Sequence, residues 1–244
     1  MEREKVLTYP GMIVSTDRNM EPGRGTIRTR QGLSALFVGL KEVQGKYVHV
    51  IPLKGLYHPQ VGDKVIGKII NKTATKWIVD INSKGVGLLK PQDAVLRDRH
   101  SRGHSSKSKG SYVPDEEDVM EAFKRGDFLM AKVLSGNRIE NPELSALGKY
   151  LGKITKGLIV EISPPKIPRV IGKRGSMIKL LKDHTKCNIF VTQNGRIWIH
   201  GPNEDYEHIL VEAILKIEKE AHTSGLTDRI NAFLLQRKEE YNLS

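Results

Sequence analysis

The chain has 244 residues, a length that allows one large folding unit or two to three small ones at roughly 100–200 residues per domain. Its 40 lysine and arginine residues outnumber the 28 aspartate and glutamate residues, and the formal charge of +12 favours an anionic partner such as nucleic acid or an acidic lipid. Cys187 is the only cysteine, which excludes internal disulfides and cysteine-based zinc ribbons and predicts a small buried hydrophobe.

Residues 6–58 contain short β-prone runs separated by glycine and proline, without the 3.6-residue periodicity of a helix. Gly23-Arg24-Gly25-Thr26 is glycine-rich but lacks the Lys-Ser/Thr ending of a phosphate-binding loop, so we predict a turn there. A small antiparallel β domain is therefore expected over residues 1–58. Its β-prone runs are Met12-Ile13-Val14, Ala35-Leu36-Phe37-Val38 and Tyr47-Val48-His49-Val50-Ile51.

A second β series follows Val61-Gly62-Asp63, and its evenly short strands with glycine turns are typical of a small barrel. Trp77 shares a strand face with Val79 and Ile81, which predicts that its ring lies in the core. Residues 97–110 contain no apolar residue, so a basic loop over 97–113 is predicted to be more mobile than the barrel that it interrupts. The predicted strands cover residues 64–70, 77–81, 85–89 and 127–135.

The third series predicts the element order β-α-α-β-β-α, and its last helix has the clearest pattern in the chain. Apolar side chains recur on one helical face, Pro202 suits the first turn, and Gly225 follows the end. That face comprises Tyr206, Leu210, Ala213, Ile214, Ile217 and Ala221. The earlier elements are strand 158–162, a short helix, a glycine turn, helix 176–184, and strands 188–192 and 196–200. Residues 226–241 could form a further helix, with Ile230, Phe233, Leu234 and Arg237 on one side.

The glycine turn between the first two helices of this series carries the most informative motif. Residues 169–178 read Arg-Val-Ile-Gly-Lys-Arg-Gly-Ser-Met-Ile and, with the later Leu181, Thr185 and Ile189, closely resemble the KH signature V-I-G-x-x-G-x-x-I. Two glycines around two cationic residues let a nucleic-acid backbone approach main-chain N–H groups closely. A simple helix-helix turn is the alternative, but the element order also fits the eukaryotic-type KH fold. The predicted RNA-binding residues here are Arg169, Ile171, Gly172, Lys173, Arg174 and Gly175.

The two faces of the predicted KH sheet have different expected roles. Ile171, Ile178, Ile189 and Val191 would line or support the groove that receives bases, with an ordinary core position as the alternative for Ile178. Phe190 and Trp198 can both point to the opposite face, and large aromatic side chains are unusual on a solvated sheet. We therefore expect the barrel or residues 226–241 to cover that face.

The barrel series resembles an S1 domain in residues 65–70, 79–81, 87–90 and 126–133. Thr75 and Lys76 occupy the usual Phe-Gly positions and Lys90 replaces the usual histidine, which leaves open whether this surface stacks bases or only contacts phosphates. Cationic side chains could form a track that contacts the phosphates of RNA. Such contacts raise the affinity for RNA but contribute little selectivity for its sequence. The alternative is that these side chains are solvated and do not contact RNA. The predicted track is Lys68, Lys72, Lys76, Lys84, Lys90, Arg97 and Arg99.

The combination of domains is more specific than any one of them. With Tyr9-Pro10-Gly11, Gly23-Arg24-Gly25-Thr26 and residues 57–63, the order β domain, S1 and KH resembles, over essentially the whole chain, the RNA-binding cap subunits of the archaeal exosome. The resemblance implies a multidomain β plus α/β protein. Its parts would be an N-terminal β domain (1–58) that docks to the ring, an S1-type OB-fold barrel (59–138), a type I KH domain (149–223) and an extra C-terminal helix (224–244).

The same resemblance implies an assembly and a task. Three copies would sit on a hexameric ring of RNase PH-like subunits, alone or mixed with the sister cap subunit that carries a zinc ribbon. They would capture RNA, with a preference for A-rich tails, and feed it to the phosphorolytic sites of the ring. No cofactor is implied.

No catalytic machinery is apparent in the residues themselves. There is no carboxylate pair, nucleophile motif or Walker loop, and His100 and His104 have metal-like spacing but only Asp98 close by. A free-standing RNA-binding regulator of translation or ribosome assembly is the main alternative. A phosphorolytic enzyme with its own S1 and KH domains fails on length. No run approaches the roughly 18 apolar residues of a membrane helix, and the charged opening residues 1–5 lack the apolar core of a signal peptide, so a cytoplasmic protein without membrane contact is expected.

Overall fold

The computed structural model describes residues 6–94, 120–136 and 140–241. The described residues fall into two compact units, one within Met1–Gly55 with Ser163–Pro165, the other within Leu56–Ile162 and Lys166–Ser244. Apart from Ser163–Pro165, the described residues of the predicted barrel and KH domain thus lie in one unit. Within the described ranges, no helix combines the length and apolar composition needed to cross a bilayer. The predicted basic loop 97–113, with Arg97, Arg99, His100 and His104, lies outside the described residues.

The N-terminal unit consists of two small sheets around an apolar cluster. One sheet has the strand order β1-β6-β7-β3 and the other β2-β5-β4, mostly antiparallel. Gly23–Thr26 forms the predicted turn, with the Thr26 N–H donating to the Gly23 carbonyl at 3.4 Å. The strands are β1 (Leu7–Thr8), β2 (Ile13–Ser15), β3 (Glu21–Pro22), β4 (Thr26–Thr29), β5 (Gly32–Ala35), β6 (Gly39–Gln44) and β7 (Tyr47–Pro52). The core residues are Val14, Leu33, Ala35, Val48 and Val50.

The S1 region is a closed barrel of five strands. The antiparallel order β10-β9-β8-β11 is closed by β12, which pairs with β10 in parallel and with β11 in antiparallel orientation. A short sixth strand, β13, pairs with the other end of β11. The strands are β8 (Lys64–Lys72), β9 (Trp77–Asp80), β10 (Gly87–Leu89), β11 (Phe128–Ser135), β12 (Glu143–Ser145) and β13 (Gly152–Ile154).

The barrel interior confirms the predicted position of Trp77. Its side chain is 0% exposed, its indole N–H donates to the Phe123 carbonyl at 3.3 Å, and its ring meets the Phe123 ring edge to face at 5.3 Å. Val79 and Ile81 join it in the same buried cluster, because alternate residues of a strand face the same side.

The KH region has the predicted order β-α-α-β-β-α. Its three strands form an antiparallel sheet in the order β14-β16-β15, and helices α1, α2 and α3 share a buried cluster with Ile189, Ile197 and Ile199. Cys187 is buried in the same cluster, as predicted. The elements are β14 (Leu158–Glu161), α1 (Ile167–Ile171), α2 (Ser176–Thr185), β15 (Asn188–Val191), β16 (Arg196–His200) and α3 (Glu204–Glu220).

The C-terminal segment forms helix α4 (Leu226–Glu240), as its pattern indicated. Ile230 and Leu234 are fully buried in the KH core, and Arg237 pairs with Glu212 of α3 at 2.9 Å. Helix α4 therefore packs against the helices of the KH region and extends their core.

Several sequence-based boundaries need correction. The run Ala35–Val38 is not one strand, because the chain leaves β5 at Ala35 and enters β6 at Gly39, with Val38 exposed between them. Pro202 precedes helix α3, whose N-cap is Asn203; its side chain accepts from the Tyr206 N–H at 3.0 Å. Strands β12 and β13 were missed because three residues are too few for an alternation pattern.

Candidate nucleic-acid interface

The glycine turn between α1 and α2 has a backbone that other residues would not adopt easily. Gly172 and Gly175 have φ values of 75° and 79°, and Arg174 between them has φ 53°. A Cβ atom on Gly172 would lie 2.6 Å from the Met177 nitrogen, so the first glycine is also required for space. The sequence Gly-Lys-Arg-Gly therefore folds into a tight turn that begins α2.

The two cations of this turn face solvent. Lys173 and Arg174 are exposed, and among the described residues neither takes part in an ion pair. Ile171, at the end of α1, is 38% exposed beside them, and Arg169 is exposed one turn earlier. The structure thus brings together the six predicted residues of the motif. Two positive charges without an ion-pair partner among the described residues are suited to contact a phosphodiester backbone.

The predicted groove residues divide between surface and core. Ile178 and Val191 are half-buried, whereas Ile189 is buried in the cluster beneath the helices. Ile189 therefore supports the groove from within, and Ile171, Ile178 and Val191 are the apolar side chains that a base could reach.

The predicted lysines of the barrel are distributed over several connections. Lys68 is exposed in the middle of β8, Lys72 and Lys76 flank the hairpin between β8 and β9, and Lys84 is exposed before β10. Lys90 is paired with Glu143 at 2.6 Å, and the hydrogen bond and charge of that carboxylate raise the pKa of Lys90. Lys72 and Lys76 are the pair that the fold brings together at one turn.

Phe128 is a candidate that the sequence analysis did not identify. It is half-buried on the outer face of β11, directly opposite Lys68 of β8, whose ammonium lies 5.5 Å from the ring centroid. Strict alternation along β11 could have found it, since Leu129 and Ala131 fill the barrel and Phe128 must face outward. An aromatic ring and a cation on one surface are suited to a single-stranded nucleic acid.

The loop between β15 and β16 fastens the KH sheet to the barrel. Asn194 is 0% exposed, and its side-chain amide donates to the carbonyls of Ile66 at 2.8 Å and Ile81 at 3.0 Å. Its side-chain oxygen accepts from the Ile66 N–H at 3.3 Å, and its carbonyl accepts from Asn82 at 2.8 Å. One buried asparagine therefore satisfies main-chain groups of two barrel strands.

Arg196 completes this junction as a nearly buried cation. Its guanidinium donates to the carbonyls of Ile66 and Asp80 and to the carboxylates of Asp80 at 2.5 Å and Glu161 at 3.3 Å. Burial alone would raise the pKa of the Asp80 carboxyl, but the hydrogen bonds from Arg196 and the Asn82 N–H and the charges of Arg196 and Lys68 hold it below its usual value. The two domains are thus joined by a compensated ionic contact.

The expected cover of the second sheet face is partly confirmed. The barrel covers the end of the sheet that carries Arg196, and Lys64 of β8 places its ammonium 5.5 Å from the Phe190 ring. Phe190 and Trp198 are both half-buried, so neither ring is fully exposed. Helix α4, the other predicted cover, packs on the helices instead.

The residues that the structure describes contain no group of three or more His, Cys, Asp or Glu side chains that could hold a metal ion.

The comparisons with known proteins agree with both domains. A family model described as "KH domain" matches residues 157–205, and one described as "RRP4, S1 domain" matches residues 56–135. The chain is 38% identical over 240 residues to the exosome complex component Rrp4 of Thermococcus kodakarensis. This alignment covers 98% of this chain and 88% of that relative. It is 44% identical over 188 residues to the Rrp4 component of Aeropyrum pernix, with 77% of this chain and 74% of that relative covered.

A solved structure points the same way. A crystal structure of a protein assigned as an exosome complex RNA-binding protein superimposes with a TM-score of 0.63 at 41% sequence identity, covering 77% of this chain and 99% of that one.

Proposed function

Because this chain belongs to the Rrp4 family of exosome components, we propose that it is a non-catalytic RNA-binding cap subunit of an exosome. In this role it captures RNA, preferably through A-rich tails, and passes it to the phosphorolytic 3′–5′ exoribonuclease ring. The observation that carries the proposal is the solvent-facing Lys173 and Arg174 in a KH turn, joined in one compact unit to an S1 barrel. Such a pair of domains has surfaces for an RNA backbone and for single-stranded bases.

The partners follow from the same family membership. We propose that three copies sit on a hexameric ring of RNase PH-like subunits, alone or with the zinc-ribbon cap subunit, in the cytoplasm. The N-terminal unit would dock to the ring. In its support, this unit exposes apolar side chains at Leu7, Tyr9 and Val38, which are 59%, 63% and 52% exposed. Exposed apolar residues of this kind are suited to a protein interface.

Reconstitution tests the proposal directly. The ring subunits, purified with and without this chain, are given phosphate and a single-stranded RNA with or without an A-rich 3′ tail. We expect this chain to co-elute with the ring and to speed phosphorolysis, more so for the tailed RNA. A chain that never joins the ring, but co-purifies with ribosomes from a lysate, would favour the free-standing regulator instead.

The purified chain by itself is expected to bind RNA without shortening it, because neither the sequence nor the described residues provide a general base, a metal site or a phosphate-binding loop for hydrolysis. The measurement is gel analysis of end-labelled RNA incubated with the protein, with and without phosphate and Mg²⁺. Release of nucleotides by a preparation free of ring subunits would contradict the non-catalytic role.

Neutralising the barrel lysines is expected to weaken binding uniformly. The triple variant Lys68→Gln, Lys72→Gln and Lys76→Gln should lower affinity for every RNA sequence by a similar factor, since phosphate contacts carry no base information. The slope of log affinity against log salt should become shallower by about 0.7 for each phosphate that the protein no longer neutralises. Binding is measured for oligoadenylate and oligouridylate at several salt concentrations. A changed ratio between the two RNAs would mean that these residues read bases.

A further inference from the structure

The KH sheet has a second face that neither the glycine turn nor the groove uses. Ile189, Ile197 and Ile199 point into the helical core, so the residues between them point the other way. On that outer face Ile159, Trp198 and Phe190 form a row across the three strands, since Ile159 pairs with Trp198 and Trp198 with Phe190. The next row, Glu161, Arg196 and Thr192, lies at the barrel.

The barrel covers only part of this face. Arg196 and Thr192 are buried, Ile159, Phe190, Trp198 and His200 are each half-buried, and Asn188 beyond them is exposed. The two aromatic rings therefore lie at the margin of the barrel, in contact with solvent. Their backbone pairing fixes them side by side on adjacent antiparallel strands, where directly opposed Cβ atoms lie about 4.5–5.5 Å apart.

Two lysines border the aromatic row, one through its ammonium at Phe190 and the other through its main chain at Trp198. The Lys64 ammonium lies 5.5 Å from the Phe190 ring, and the Trp198 indole N–H donates to the carbonyl of the exposed Lys156 at 2.7 Å. The carboxylates of this face, Glu161 and Asp80, are both engaged by the Arg196 guanidinium. The surface beside Phe190 is therefore cationic, the exposed Lys156 lies next to Trp198 in the fold, and the two carboxylates are compensated by Arg196.

We propose that Phe190 and Trp198 form a second single-stranded RNA surface of this chain, on which bases stack while Lys64 and Lys156 contact phosphates. The inference rests on the proposed RNA-binding function and locates an additional part of it. Aromatic rings in a row on a sheet, bordered by cations, accept unstacked bases of any sequence. A phosphodiester chain is complementary to the cations, and its unstacked bases are complementary to the rings.

The intrinsic tryptophan fluorescence of the chain can report RNA binding at this surface. It has two tryptophans, and Trp77 is 0% exposed inside the barrel, so RNA that quenches tryptophan fluorescence by stacking must act on Trp198. The probes are single-stranded RNA of about ten nucleotides, within the site sizes of single-strand binders, and an abasic oligomer of equal length. We expect quenching by the RNA and little by the abasic oligomer. Trp198→Phe should abolish the quenching while keeping most of the affinity, because phenylalanine still stacks.

Affinity is measured separately, by fluorescence anisotropy of labelled RNA. The double variant Phe190→Leu and Trp198→Leu keeps apolar bulk at the barrel margin but removes both rings. Its affinity for single-stranded RNA should fall by about tenfold or more, as expected when one or two bases no longer stack on a ring. Tyr47→Leu, which removes an exposed ring from the N-terminal unit, is the matched control and should bind like the unmodified chain. Circular dichroism checks that each variant folds.

Each outcome decides between the inference and the function on which it rests. Binding by anisotropy with unchanged tryptophan fluorescence, or equal quenching by the abasic oligomer, would overturn the stacking surface and leave the RNA-binding function standing. Absence of any RNA binding would overturn both. A double leucine variant that binds RNA normally but no longer joins the reconstituted ring would show that this face is a protein interface, and the inference would be wrong.

Discussion

Replacing Lys173 and Arg174 together by aspartate is expected to weaken single-stranded RNA binding by about tenfold or more while leaving the fold intact. Both side chains are exposed, and aspartate tolerates the positive φ of position 174. Because two phosphates would no longer be neutralised, the slope of log affinity against log salt should become shallower by about 1.4. Binding isotherms at several salt concentrations, with circular dichroism of the variant, measure both effects.

A charge-matched control distinguishes the loss of local RNA contacts from the effect of a changed net charge on affinity. Lys46→Asp with Lys54→Asp makes the same change in charge at two exposed lysines of the N-terminal unit. It should lower affinity less than the Lys173 and Arg174 variant does, because these lysines belong to neither proposed RNA-binding surface and change only the net charge, whose long-range effect salt screens. If both double variants weaken binding equally, the glycine turn is not a specific RNA contact, and the KH resemblance is structural only.

Asn194→Ala is expected to destabilise the S1-KH unit by about 2–4 kcal/mol. The truncation leaves the Ile66 N–H and the Ile81 carbonyl buried without the side chain that bonds them. The free energy of unfolding is measured by urea titration, followed by tryptophan fluorescence and by circular dichroism.

Asn188→Ala provides the comparison, because Asn188 lies on the neighbouring strand of the same sheet but is exposed. Its substitution should change the free energy of unfolding by no more than about 0.5 kcal/mol. Similar destabilisation of both variants would mean that the bonds of Asn194 to the barrel contribute no more than a surface amide.

Much of the fold could be predicted from the sequence, because the strongest sequence patterns involve residues that are close together in the chain. The periodic apolar face of α3, the alternation that buries Trp77 and the glycine spacing around Lys173 each depend on residues close in the chain. These patterns were enough to predict the KH element order and the core of the barrel. They also placed the exposed cations of the glycine turn correctly on a connection between two helices.

The junction between barrel and KH sheet could not be predicted in the same way. Asn194 stands in a polar segment before Gly195, which by itself indicates an ordinary hairpin turn, and its partners Ile66 and Ile81 are more than a hundred positions away. The partners of Arg196 in the barrel, Ile66 and Asp80, are equally distant in the chain. A buried polar contact is recognisable only when its distant partners are known, so the two aromatic residues Phe190 and Trp198 predict a cover for their sheet face without indicating which barrel residues supply it.

The short strand β13 fixes the distance between the two regions that are proposed to bind RNA. It holds the chain against β11 as far as Ile154, and β14 of the KH sheet starts at Leu158, so only three residues connect the barrel to the KH sheet. If both regions bind RNA as proposed, an RNA strand bound by one region meets the other at a high effective concentration, provided that it is long enough to span the fixed distance. Long RNA would then bind more tightly than either site alone allows, while short fragments would reach only one site and dissociate quickly.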